Sequence, residues 1–166
     1  TGYGVDGAIW GGEVLLANRT DFERFANFAY VPMPGGAAAI KHPLRMAYGV
    51  LWAYDLLDHP AAVEALAPLG EEAEVCDRMI ERGLNTPMTS SVGRLFDAAS
   101  ALLGICVEPS YEGEGAILLE AAMEAAGADA PGAAAAEEAA GVAGENELAA
   151  RERYAVTAQK NVATET

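Results

Sequence analysis

A chain of 166 residues, 52% of them apolar, is long enough to bury one core without staples. Its formal net charge of −15 repels phosphate polymers and anionic headgroups, so nucleic acid and membrane surfaces are excluded as expected partners. Cys76 and Cys106 lack CxxC spacing and read as reduced packing residues. With no apolar run of membrane-spanning length and no signal-peptide pattern, the expected location is cytoplasmic. The sequence starts at Thr1 inside a glycine-rich stretch, as expected of a piece of a longer chain.

Residues 1–12 (TGYGVDGAIWGG) carry Gly2, Gly4, Gly7, Gly11 and Gly12. Glycine lets successive N–H groups turn toward an anion. No GK[ST] follows and GxGxxG spacing is absent, so a loop feeding a strand fits these residues equally well. Residues 9–17 read as a strand with Trp10, Val14 and Leu16 on one face. Residues 18–21 read as a turn. Residues 22–32, with Phe22, Phe25, Phe28, Tyr30 and Val31, read as the strand that pairs back, which gives an N-terminal β-hairpin. Trp10 and the phenylalanines are expected in the core, where each such side chain contributes about 1.5–3 kcal/mol. Glu13 is expected to face solvent or cap, with substrate contact as the alternative.

The PMPGG run at 32–36 breaks regular structure. A helical turn over 37–41 is reset by Pro43, and Leu44, Ala47, Tyr48, Leu51 and Tyr54 form the buried stripe of the helix that follows, through to Leu57. His42 has no second histidine or acid at ligand spacing, so no metal site is expected. Asp58 or His59 caps a short helix over 61–69 that has Pro60 at its first position and stops at Gly70. Acids load the first turn of a helix over 71–82 closed by Gly83, with Val75, Cys76, Met79 and Ile80 facing in.

The clearest helix lies within 85–104 (NTPMTSSVGRLFDAASALLG). Val92, Leu95, Phe96, Ala99, Leu102 and Leu103 form its apolar stripe, Thr89, Ser90 and Ser91 offer N-cap oxygens, and Gly104 suits a left-handed end. Gly93, Arg94 and Asp97 fall on the opposite, exposed face. There an Arg94–Asp97 surface pair and a ligand-facing carboxylate beside a small residue are both open readings. Residues 105–107 suit a short strand or an extended exit, 108–115 (EPSYEGEG) a loop, and 116–126 a helix. Residues 127–166 begin with an Ala/Gly/Glu-rich linker, followed by a final helix and a polar tail.

The blocks TGYGVDGAIWGGE, MPGGAAAIKHPLRMA, TSSVGRLFDAASALLG and YEGEGAI resemble, in order, the C-terminal catalytic domain of the HypF family, the carbamoyltransferases of [NiFe]-hydrogenase maturation. The resemblance spans residues 1–126 and fades beyond. It implies a mainly helical α+β piece of an actin-like ATPase (ribonuclease H-like) domain, related to TsaD-type proteins. It also implies carbamoyl transfer from carbamoyl-adenylate, made from ATP, to a C-terminal cysteine of a HypE-type partner. By the same resemblance Thr1, Gly2 and Gly4 approach nucleotide phosphates, while Gly93, Asp97, Glu112 and Gly113 line the ribose. Ser100 stands where the family motif has a small apolar residue. The family's zinc or iron ligands have no counterpart in this sequence, and no catalytic residue is assigned. An O-carbamoyltransferase of natural-product biosynthesis and a non-catalytic helical protein-binding module are the competing expectations.

Overall fold

A computed structural model describes residues 2–126. The expected linker and tail at 127–166, and Thr1, lie outside the described residues. The chain divides into two compact units, one of Thr1–Gly12 with Tyr30–Glu120, the other of Glu13–Ala29 with Ala121–Thr166.

The first unit holds a four-stranded sheet in the order β1-β2-β6-β5, built from β1 (Gly2–Tyr3), β2 (Ile9–Trp10), β5 (Val31–Pro32) and β6 (Met88–Thr89). β1 and β2 are antiparallel, β2 and β6 parallel through Ile9 and Thr89, and β5 and β6 antiparallel. Helices α1 (Ala37–Lys41), α2 (Pro43–Ala53), α3 (Pro60–Leu66), α4 (Glu72–Arg82) and α5 (Val92–Leu102) follow, with α6 (Glu114–Ala126) last. This is α+β, as expected, with about half of the described residues helical and a small sheet.

Local chemistry accounts for many boundaries. Pro43 lacks the N–H that would continue α1, so the chain turns at His42 and restarts with proline in the first turn of α2. His59 Nδ1 accepts the Ala61 N–H at 3.3 Å and caps α3, with Pro60 at its start. Gly83 takes the left-handed conformation, φ 62°, and closes α4, while Gly104, φ 68°, follows α5. The core gathers Val31, Met33, Met46, Ala47, Leu51, Leu66, Cys76, Ala98 and Ala101 among others, with α2 packed on α5. At Gly49 the α2 backbone runs so close to β5 that an added Cβ would sit 2.1 Å from the Pro32 carbonyl oxygen. Tyr48 donates its hydroxyl to Asp77 Oδ1 across α2 and α4 at 3.2 Å. Burial, reinforced by the Asp77 charge, pushes the Tyr48 phenol up to about 12.

The second unit contains the hairpin β3 (Glu13–Ala17) and β4 (Phe22–Asn27), with a bulge between Val14 and Leu15. Asn18 Oδ1 accepts the backbone N–H groups of Thr20 and Asp21 at 2.8 and 2.9 Å and so builds the turn.

The expected hairpin is therefore shorter than 9–32. Its outer ends, Ile9–Trp10 and Val31–Pro32, leave it to flank β6 in the first unit's sheet. The phenylalanines are not core among the described residues: Phe22, Phe25 and Phe28 are 56%, 50% and 40% exposed. Trp10 is half-buried, its indole N–H donating to Asp6 Oδ1 at 2.9 Å. Glu13 does not face solvent: its buried side chain pairs with Arg24 at 3.1 Å. Tyr54 and Val75 are exposed and not buried in their helices, and residues 105–107 form no strand.

Candidate functional site

The turn between β6 and α5 starts the site. Thr89 Oγ1 donates to the Ile9 carbonyl at 3.1 Å and accepts the Ser91 N–H at 3.1 Å. The Ser90 N–H also reaches Ile9 O, at 3.0 Å, and the Val92 N–H reaches Gly11 O at 3.3 Å. The hydroxyls of the TSS run thus fasten α5 to the end of β2, where N-capping was expected. Ser91 occupies the cap position, but its side chain makes no capping bond.

Helix α5 is turned from the expected orientation: Leu95 and Leu102 of the expected stripe pack against the core, but its fully buried face lies to one side of them. Arg94, Asp97, Ala98 and Ala101, spaced i, i+3, i+4 and i+7, are covered, while Phe96 and Leu103 are 46% and 67% exposed. The packing surface is made of small residues. Gly115 of α6 carries it further, since a Cβ there would lie 3.4 Å from Ser100 and 3.6 Å from Asp97 Oδ1.

Asp97 is consequently no surface acid. Its side chain is 8% exposed, and Arg94 Nε stands 3.1 Å from its Oδ2. That separation makes an ion pair, but the donor hydrogen is not directed at the oxygen. Asp97 Oδ2, Arg94 Nη1 and Ser100 Oγ all lack a hydrogen-bond partner. Buried polar atoms are ordinarily satisfied, because an orphan costs about 1–3 kcal/mol. Burial drives the Asp97 carboxyl above its ordinary value; the Arg94 guanidinium opposes this and the Glu112 charge adds to it.

Glu112 comes to this cluster from the loop before α6, 3.7 Å from Arg94 Nη2 and largely exposed. Gly113 takes φ 88° at the loop's end, a left-handed conformation that glycine adopts readily. Glu114 anchors the loop by accepting both the N–H and the hydroxyl of Ser110, which holds its carboxyl below the usual range. Gly93 precedes Asp97 by one helical turn, and an added Cβ there would meet only Ser91 Oγ, at 3.7 Å. The structure therefore gathers Gly93, Asp97, Glu112 and Gly113 around Arg94.

Gly2 and Gly4 lie elsewhere, on β1 and the turn after it, with β2 between β1 and β6. Gly4 backs onto the indole, since a Cβ there would lie 2.1 Å from Trp10. Asp6, not singled out in the sequence, organises this turn by accepting from the Ala8 N–H, the Trp10 indole and the Tyr30 hydroxyl. Among the described residues no three His, Cys, Asp or Glu side chains converge to hold a metal ion. Arg94 and Ser100 also escaped assignment as site residues; both sit in the VGRLFDAAS run, where only their burial marks them out.

A short mixed sheet feeding a helix that buries polar atoms without hydrogen bonds makes this an α+β module. The family model described as carbamoyltransferase, Kae1-like domain, second subdomain, matches residues 1–164. Carbamoyltransferase HypF2 of Cupriavidus necator is 40% identical over 126 residues, which cover 76% of this chain and 15% of that protein. The probable carbamoyltransferase HypF of Methanocaldococcus jannaschii is 41% identical over 125 residues, covering 72% of this chain and 16% of that protein. A crystal structure of full-length HypF in its phosphate- and nucleotide-bound form superposes with a TM-score of 0.65 at 37% identity, over 71% of this chain and 15% of that one. The chain belongs to the HypF carbamoyltransferase family, in the second subdomain of the Kae1-like domain. It spans about 15% of the length of these relatives.

Proposed function

We propose that this chain is the ribose-holding part of a carbamoyltransferase. The observation that carries the reading is the trio of buried polar atoms on Asp97, Arg94 and Ser100 that make no hydrogen bond, with Glu112 facing it from the loop. A vicinal diol suits that trio. Its O–H groups donate to carboxylate oxygens, which accept only, and its oxygens accept from the guanidinium. Open helix surface at Gly93 lets a sugar approach. On this reading Gly93, Asp97, Glu112 and Gly113 contact the ribose, while Thr1, Gly2 and Gly4 approach the phosphates, with the Gly4 N–H itself donated to the Ala8 carbonyl at 2.8 Å.

The nucleotide is ATP-derived carbamoyl-adenylate. The carbamoyl group passes to the C-terminal cysteine thiolate of a HypE-type acceptor, for cyanide-ligand synthesis in [NiFe]-hydrogenase maturation, within an actin-like ATPase domain in the cytoplasm. The thiolate attacks the carbamoyl carbon, a C–S bond forms, the C–O bond to phosphate breaks, and AMP leaves with the electron pair. The residues described here bind and orient the nucleotide; none of them is placed at the reacting carbon. A zinc or iron ion supplies Lewis-acid chemistry in the family, but these residues do not fit one, so no metal-dependent step is assigned to them. The HypF names of the relatives favour this acceptor over the hydroxyl of a natural product.

The test is calorimetry of AMP binding to the full-length protein carrying this chain. Asp97→Ala removes bonds to a charged acceptor, worth about 1.5–3 kcal/mol, so affinity falls roughly ten- to a hundredfold. Unchanged affinity in a folded variant contradicts the assignment.

A further inference from the structure

A cleft of about 300 Å³ lies among α2, α3 and the C-terminal end of α5, and none of the residues assigned to the nucleotide lines it. Its walls are apolar: Leu51 and Leu56 from α2 and the turn after it, Ala62 and Ala65 of α3, and Leu102 of α5. His59 is the one polar side chain in the wall, and its Nδ1 is already engaged by the Ala61 N–H. Leu56 is 44% exposed, and Leu103, next to Leu102, is 67% exposed. We infer that this cleft is a docking groove for an amphipathic helix of a partner protein, with large apolar side chains on one face and lysines or arginines flanking them.

Shape and charge together choose that occupant. Clustered apolar side chains left open to solvent mark a surface that meets another molecule. The small Ala62 and Ala65 let a further helix come close, while Leu51, Leu56 and Leu102 supply apolar surface for its anchors, the arrangement by which a helix lays one face into a groove. The rim is acidic. Asp55, Asp58 and Glu64 are exposed and make no ion pair among the described residues. No Lys or Arg occurs between Arg45 and Arg78, or from Leu95 to Ala126, so the segments that build the groove hold no cation of their own to neutralise that rim. A second copy of this chain would bring the same acids to the contact and be repelled, as would an anionic lipid surface. Cations on a partner helix would instead add attraction, speed encounter and disfavour acidic competitors.

The experiment measures fluorescence anisotropy of two labelled synthetic helices on the full-length protein carrying this chain. Both present leucines on one face; one carries lysines at its other positions and the second carries glutamates. The lysine helix is expected to bind, more weakly as salt rises, and the glutamate helix to stay free. Leu56→Ser, at an exposed position, should lower the lysine helix's affinity roughly tenfold with an unchanged circular dichroism spectrum. Asp58→Lys combined with Glu64→Lys should reverse the preference, so that the glutamate helix becomes the tighter ligand. Failure of the lysine helix to bind the unmodified protein, as when another part of the full-length chain fills the groove, overturns the inference. Equal binding of the two helices, or a preference that the charge reversal does not move, overturns it as well. So does a dimer in sedimentation that Leu56→Ser dissociates, because a second copy would then be the occupant.

Discussion

Replacing Gly49 by alanine sets two physical effects of opposite sign against each other. Gly49 is interior to α2, where alanine is favoured over glycine by about 1 kcal/mol on helix propensity alone. The new Cβ, however, would sit 2.1 Å from the Pro32 carbonyl oxygen and 3.1 Å from Pro34 Cδ. A carbon–oxygen contact relaxes only at about 3.3 Å or more, so α2 must retreat from β5 by more than about 1 Å. The neighbours are Val31 and Met33, each 2% exposed, and Met46 at 0%, with no slack to absorb the movement. Overpacking of this kind costs about 1–3 kcal/mol and more against backbone, so the steric effect wins with a net loss of about 2 kcal/mol. In a unit of this size that lowers the melting temperature by about 10 °C. Urea denaturation of the 166-residue chain measures it, with Gly93→Ala as the control. Gly93 is also inside a helix but has only Ser91 Oγ, at 3.7 Å, near the new carbon, so its replacement stabilises. If Gly49→Ala stabilises as Gly93→Ala does, the close approach of α2 to β5 is wrong.

Arg94→Met strips the buried Asp97 carboxylate of its cation and should cost about 3 kcal/mol, whereas Arg94→Met with Asp97→Leu should recover most of that loss; a double-mutant cycle by urea denaturation reads the difference, and additive losses would argue against a coupled pair. Stability should also carry a pH signature. Burial raises the Asp97 carboxyl in the folded state, so the folded chain holds its proton to higher pH than the unfolded one. The stabilising contribution is therefore complete below the ordinary carboxyl range and is lost as pH rises through the raised folded value. Urea midpoints between about pH 3 and 7 should show that decline in the parent chain and a flatter profile in Asp97→Asn. Tyr48 should ionise only near pH 12, held back by burial and by Asp77; ultraviolet titration should show that late component vanish in Tyr48→Phe.

Helix ends were legible because single residues dictate them. Gly83 and Gly104 supply the positive φ that other residues resist, Pro43 splits α1 from α2, and His59-Pro60 starts α3. The sheet was not legible. β1, β2, β5 and β6 are two residues each, too short for any alternation, and β2 pairs with a strand about 80 residues away. The buried side of α5 was only partly legible, for a different reason: Leu95 and Leu102 pack on the core, but Phe96 and Leu103 do not. Periodicity marks the face with the largest apolar side chains, Leu95, Phe96, Leu102 and Leu103. The close packing of α2 and α6 instead selects small residues, Ala98, Ala101 and Gly115, and carries Arg94 and Asp97 in with them. The convergence of Glu112 on that cluster followed the family motif, while the missing hydrogen bonds around Asp97 are visible only in three dimensions.

The ribose assignment is tested most directly by altering the ligand and leaving the buried ion pair intact. Calorimetry of AMP against 2′,3′-dideoxy-AMP on the unmodified full-length protein removes both hydroxyl donors without disturbing Arg94 or Asp97. Two bonds to carboxylate acceptors predict that the dideoxy compound binds at least roughly tenfold more weakly, and that Asp97→Asn narrows the gap. Equal affinity for the two nucleotides in the unmodified protein would contradict a ribose held by Asp97 and Glu112.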